Sequence, residues 1–100
     1  MWSSYPIDHL VISEGVTSIA GEAFYSNHAL RGTLTLPSTL RSIGEFAFYG
    51  CDGLTALKLP ASLEHIKAHA FQNCDGLRGG VTVPDSVYSV GRGAFPAAPP

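Results

Sequence analysis

Charge is scarce in this chain. Asp, Glu, Lys and Arg together make up 14% of its 100 residues, and the net charge is −2. The six basic residues, Arg31, Arg41, Lys58, Lys67, Arg78 and Arg92, are scattered, so the chain lacks the basic stripe that tracks a phosphate backbone. Long apolar runs are missing as well, since none approaches the ~20 residues that cross a bilayer. The opening Met1-Trp2-Ser3-Ser4-Tyr5-Pro6 has neither the basic start nor the apolar stretch of a signal peptide. As written, the chain is expected to be soluble and unexported, with no nucleic-acid partner and no membrane span. Cysteine is limited to Cys51 and Cys74. Apolar residues, by contrast, reach 45%, which implies a large core under a sparsely charged surface.

Those apolar residues recur in order. Ala-Phe stands at Ala23-Phe24, Ala47-Phe48, Ala70-Phe71 and Ala94-Phe95, at intervals of 24, 23 and 24 residues. Before each alanine comes Ile19, Ile43, Ile66 or Val90, and after the first three comes Leu30, Leu54 or Leu77. Each repeat also opens on an apolar-x-apolar triplet: Leu10-Val11-Ile12, Leu34-Thr35-Leu36, Leu57-Lys58-Leu59 and Val81-Thr82-Val83. A fixed period in the twenties marks a solenoid, whose repeats bury their apolar faces only by stacking. One domain over 1–95 is expected, in repeats of about 7–30, 31–54, 55–77 and 78–95, followed by a Pro/Ala tail at 96–100.

The triplets read as short strands, because residues two apart share one face of a pleated ribbon. Pro37, Pro60 and Pro84 follow three of them and stop the ladder at the same rung. Strands are therefore expected at about 8–12, 33–36, 56–59 and 80–83, in one parallel sheet. A second apolar site at Val16, Leu40, Leu63 and Val87 precedes the Ile/Val position by three and carries the chain to the opposite wall. From Gly21, Gly44, Lys67 or Gly91 to the phenylalanine, the segment is short enough for one helical or 3₁₀ turn. The expected fold is a mostly β, right-handed solenoid of about four turns, with a parallel sheet on one face and short helical or 3₁₀ turns. Its interior ladders would be Phe24-Phe48-Phe71-Phe95, Ile19-Ile43-Ile66-Val90 and Leu30-Leu54-Leu77.

The run Leu54-Thr55-Ala56-Leu57-Lys58-Leu59-Pro60, continued by Ile66, Ala70-Phe71 and Cys74, resembles the leucine-rich repeats of the BspA-like bacterial surface antigens. Their pattern is Leu-x-x-Ile-x-Ile-Pro-x-x-Val-x-x-Ile-x-x-x-Ala-Phe-x-x-Cys, and the resemblance spans residues 7 to 95. Departures are small. Gly32 and one of Gly79 or Gly80 lengthen two turns, Asn27 stands for the first cysteine, and Ser13 stands for the first proline. The resemblance implies a cell-surface or secreted binding module with a protein or glycan partner, no cofactor and no catalytic residues. The alternatives are a structural spacer or gene fragment without its own ligand and, further off, a small metal-dependent enzyme.

Two surfaces could carry binding. Along the strand centres, Val11, Thr33, Thr35, Lys58 and Thr82 point outward with His9, Ala56 and Gly80, and form a small, nearly uncharged platform. On the other side, Phe46 and Tyr49 are three apart and expected to point outward beside Tyr25 of the preceding rung. Grouped exposed aromatics are enriched at interfaces. Metal chemistry has weaker support. His65 and His69 are four apart, but Cys74 is expected inward, and zinc needs three or four convergent ligands. His9 and His28 stand alone. Asp52-Gly53 and Asp75-Gly76 suit turns better than a calcium site, which takes six or more oxygens. Stacking would set Cys51 and Cys74 about 5 Å apart, within reach of a disulfide if the side chains rotate. Buried free thiols are the favoured reading, because cysteine is a small, readily buried side chain. The last repeat lacks a Cys-x-x-Leu return, so Val81, Val83, Val87, Val90 and Phe95 are expected to lie open on one side, and the chain is expected either to be a piece of a longer protein or to self-associate through its C-terminal rung. Trp2 and Tyr5 are expected to cover the first rung.

Overall fold

The computed structural model describes residues 7–28, 30–77 and 81–96. Seven strands follow in chain order: β1 (Ile7–Val11), β2 (Ser18–Ile19), β3 (Leu30–Thr35), β4 (Ser42–Ile43), β5 (Gly53–Lys58), β6 (His65–Ile66) and β7 (Ser89–Val90). They form two parallel sheets: the expected one, in the order β1-β3-β5, and a second that was not expected, in the order β2-β4-β6-β7. Leu10, Leu34 and Leu57 stack in register on the first wall, and Ile19, Ile43, Ile66 and Val90 line up through the second. The chain is a parallel β solenoid.

The fourth strand expected at 80–83 is absent from the described part of that stretch: residues 81–83 lie in no strand, and Gly80 falls outside the described residues. Three rungs thus have both walls, and the fourth is a strand only on the second wall, at β7. Val81 packs half-buried against the core, while Val83 remains 38% exposed, so only part of that segment is held against the stack. Gly32 does not lengthen a turn. It lies inside β3 at φ 79, where the register between β3 and β5 shifts, as a bulge requires of a residue able to take a left-handed conformation.

The third wall also departs from expectation, because no helix or 3₁₀ turn occurs among the described residues. Left-handed residues prevent one. Glu22, Phe46, His69 and Gly93 occupy one ladder position at φ 63, 58, 61 and 65. Ser26, Gly50 and Asn73 occupy a second, four residues on, at φ 52, 75 and 63. With the backbone reversing hand every fourth residue, amides alternate between inward and forward bonds. Ala23 N–H donates to its own rung at Ala20 O (3.3 Å), and Phe24 N–H to the next rung at Ala47 O (2.7 Å). Tyr25 N–H then returns to Glu22 O (3.2 Å), while Ser26 N–H reaches forward to Tyr49 O (2.6 Å). This satisfies the buried backbone without a helix.

Between the walls runs the core. Phe48 and Phe71 are fully buried and their rings stack with Phe24 and Phe95 in one column, at centroid distances of 4.9, 5.2 and 5.8 Å along the stack. Leu30, Leu54 and Leu77 form a parallel column. Each such side chain contributes about 1.5–3 kcal/mol by leaving water, so these columns dominate the stability.

Candidate interaction surface

On the first wall, β1, β3 and β5 bring Val11, Thr35 and Lys58 into one line across the sheet, all exposed, with Thr33 beside Ala56. Val11 is 65% exposed, the most uncovered large apolar side chain among the described residues of this wall. Thr82 is exposed too, but it belongs to no strand, so the platform spans three rungs rather than four. Polar groups knit its margin. Glu14 accepts from Ser38 N–H (2.8 Å) and Ser38 Oγ (2.6 Å), which holds its carboxyl below the ordinary range. Thr39 donates to Val16 O at 2.8 Å, and Thr55 to Gly32 O at 3.3 Å. These contacts stiffen the wall without presenting a reactive group.

The third wall gathers the aromatics. Tyr25 and Tyr49 stack at 5.1 Å with rings 12° apart, and Phe46 tilts against both, at 6.0 and 5.4 Å. Phe46 and Tyr49 do not stand fully outward as expected. Both are half-buried, because ladder stacking lays each ring against its neighbour, while Tyr25 keeps 48% of its surface exposed.

The sequence reading missed three members of this cluster. His69 stacks on Phe46 at 4.7 Å and 23°, and its Nδ1 lies 2.7 Å from Gln72 Oε1. Asn73 Nδ2 donates to Tyr49 OH at 3.0 Å. The signal was present in the repeat period, since His69 falls 23 residues after Phe46, on the same ladder. His65 pairs separately with Tyr88, edge to face at 4.8 Å and with Nε2 3.1 Å from the phenol oxygen. The two histidines therefore face different neighbours instead of converging. Among the described residues, no group of three or more His, Cys, Asp or Glu side chains is placed to hold a metal ion. Asp52 meets His28 at 3.2 Å, and Arg41 meets Glu64 at 3.0 Å, both at the surface, where such pairs contribute about 0–1 kcal/mol.

Cys51 and Cys74 are free and buried. Each thiol lies against the carbonyl of the phenylalanine one rung back: Cys51 Sγ donates to Phe24 O at 3.1 Å and Cys74 Sγ to Phe48 O at 2.9 Å. Burial pushes Cys51 up to about 11 and, with the neighbouring Cys51 adding to it, Cys74 up to about 12. Neither is a nucleophile near neutral pH.

A parallel solenoid with an apolar column, stacked Ala-Phe turns and surfaces built from ladders is a leucine-rich-repeat protein. Residues 2–98 match the family described as a BspA type leucine rich repeat region (6 copies), and the chain belongs to that family. Its fold is similar to the leucine-rich repeat protein of T. pallidum (TpLRR), with a TM-score of 0.79 and 32% identity over 89% of this chain and 42% of that one. A leucine-rich repeat protein from Bacteroides ovatus gives a TM-score of 0.81 and 30% identity over 89% of this chain and 25% of that one. One from Bacteroides capillosus gives 0.73 and 32% over 88% and 66%. The chain thus spans between 25% and 66% of the length of these proteins. No curated protein sequence matches it. Among the described residues no helix is long and apolar enough to cross a membrane.

Proposed function

We propose that the chain is a non-enzymatic interaction module of a bacterial surface or secreted protein, and that it binds polypeptide through the third-wall cluster of Tyr25, Phe46, Tyr49 and His69. The observation that carries this reading is the orientation of the rings. Tyr25 turns one face on Tyr49, and Phe46 turns one on His69, along the solenoid axis. The ring edges carry the positive rim of the aromatic quadrupole, which suits carbonyl oxygens and side chains of a protein partner. A pyranose ring needs a free, flat aromatic face, and the stacking takes up one face of each ring in these two pairs. Tyr and adjoining polar groups such as Gln72 and Asn73 match the composition of protein interfaces. The first-wall line of Val11, Thr35 and Lys58, with Thr33 and Thr82 nearby, is the secondary surface, since its side chains offer little to anchor a partner.

Calorimetric titration of the chain against a panel of extracellular-matrix polypeptides and a panel of oligosaccharides tests the reading. Binding to a polypeptide that is lost in Tyr25→Ala/Phe46→Ser supports it. Saccharide binding that depends on the same residues, or polypeptide binding that ignores them, overturns it.

A further inference from the structure

The third wall is charged in two halves. Its first two rungs, residues 20–28 and 44–52, carry Glu22, Glu45 and Asp52 and no lysine or arginine. Its last two, residues 67–75 and 91–96, carry Lys67 and Arg92, with Asp75 as the one acid. Asp52 meets His28 at the margin, whereas Glu22 and Glu45 are exposed beside the aromatic positions.

The acidic half is also where the cluster is most open. Tyr25 stacks one face on Tyr49 yet keeps 48% of its surface exposed, while Phe46, Tyr49 and His69 are half-buried. A single turn carries this ring and the first acid, since Tyr25 N–H donates to Glu22 O at 3.2 Å. Glu22 holds in the first rung the ladder position that Phe46 holds in the second, at φ 63 against 58, so both side chains set out in the same direction. The second acid adjoins it across the rungs: Glu22 N–H donates to Glu45 O at 2.9 Å, and Glu45 directly precedes Phe46. The most exposed ring of the cluster thus shares its turn and the facing backbone with two exposed carboxylates.

We propose that this end of the cluster takes an arginine side chain of the polypeptide partner, seated over Tyr25 and held by Glu22 and Glu45. The assignment rests on the polypeptide reading above and names what that partner must present. A guanidinium meets both features of the site at once: its plane packs on an aromatic ring while its N–H groups donate to carboxylates. Lysine offers a point charge without the flat surface, and an acidic segment meets repulsion. An ion pair at an exposed site contributes little by itself, so the discrimination comes from ring and carboxylates acting together, on the order of tenfold in affinity. The basic half, at Lys67 and Arg92, repels the same side chain and confines it to the first two rungs.

The test is fluorescence anisotropy of the full chain against labelled short peptides of one neutral sequence, carrying paired arginines, lysines, citrullines or glutamates. Citrulline keeps the shape of arginine and removes its charge. The arginine peptide should bind about tenfold more tightly than the citrulline peptide, more tightly than the lysine peptide, and the glutamate peptide should not bind. Glu22→Gln/Glu45→Gln should abolish the preference for arginine over citrulline. Glu64→Gln/Asp85→Asn, which changes the net charge equally away from the cluster, should retain it. If Glu22→Gln/Glu45→Gln fails to fold, salt decides in the parent: from about 20 to about 300 mM NaCl, arginine binding should weaken several-fold and citrulline binding should not. Peptide binding that ignores Tyr25→Ala/Phe46→Ser overturns the polypeptide reading and this assignment together. Binding that needs those rings but shows no preference for arginine, or a preference that survives Glu22→Gln/Glu45→Gln, overturns the assignment alone. An arginine peptide that does not bind, or a lysine peptide that binds as tightly, overturns it as well.

Discussion

At the scale of single residues, the core sorts side chains by what stands on either side of them along the stack. Phe71 is fully buried and meets Phe48 at 5.2 Å and Phe95 at 5.8 Å. Phe71→Ala would open a void between rungs whose spacing is pinned by backbone hydrogen bonds, so it should cost about 3–5 kcal/mol in denaturant unfolding. A loss near zero would mean the column can collapse. The cysteines give a pH signature. Their thiols keep their protons to about 11 and about 12 in the fold, against an ordinary 9.0 in the unfolded chain. The unfolded chain therefore binds fewer protons above pH 9, and stability present below that value is lost as pH rises toward 11–12. The melting temperature of the parent should fall more steeply between pH 9 and 11 than that of Cys51→Ala/Cys74→Ala, and equal slopes would refute the account. Below pH 8 both thiols should label slowly in the native state, because only an opened rung exposes them.

At the scale of elements, much of the fold was legible in the sequence because ladders repeat. Ile19, Ile43, Ile66 and Val90 announced a second wall by period alone, yet not that it would be a sheet, since strands of two residues carry no alternation to read. The third wall was misread as helical because its left-handed positions are held by Glu22, Phe46 and His69, residue types that give no hint of positive φ. The aromatic cluster was half visible: Tyr25, Phe46 and Tyr49 stood out as aromatics, while His69 was weighed only as a metal ligand and its stacking on Phe46 needed the structure. Close approach between rungs was equally silent. A Cβ on Gly44 would fall 2.5 Å from Gly21 N and 2.8 Å from Ile19 O, both backbone atoms that cannot swing aside. Gly44→Ala should therefore destabilise the chain by about 1–3 kcal/mol, the usual range for overpacking, despite the better helix propensity of alanine. Thermal melting checks it, and an unchanged midpoint would show that the rungs can part.

At the scale of the molecule, a solenoid is held by nearest-neighbour interfaces, so the stability of any position depends on how many rungs flank it. Phe48 is stacked on both sides, at 4.9 Å from Phe24 and 5.2 Å from Phe71, whereas Phe95 has one ring neighbour, at 5.8 Å, and remains half-buried. The same truncation should then read differently along the stack: about 3–5 kcal/mol for Phe48→Ala, and less than half of that for Phe95→Ala. Amide exchange should follow the same gradient. Leu34 and Ile43 lie in strands with a partner on each side and are fully buried, so their amides should open only with the whole molecule. Val90 pairs on one side and is half exposed, so its amide should exchange through local fraying, by a route insensitive to Phe48→Ala. If Val90 instead exchanges at the rate of Ile43, and Phe95→Ala costs as much as Phe48→Ala, the rungs fold as one indivisible unit and the nearest-neighbour description fails for a stack this short.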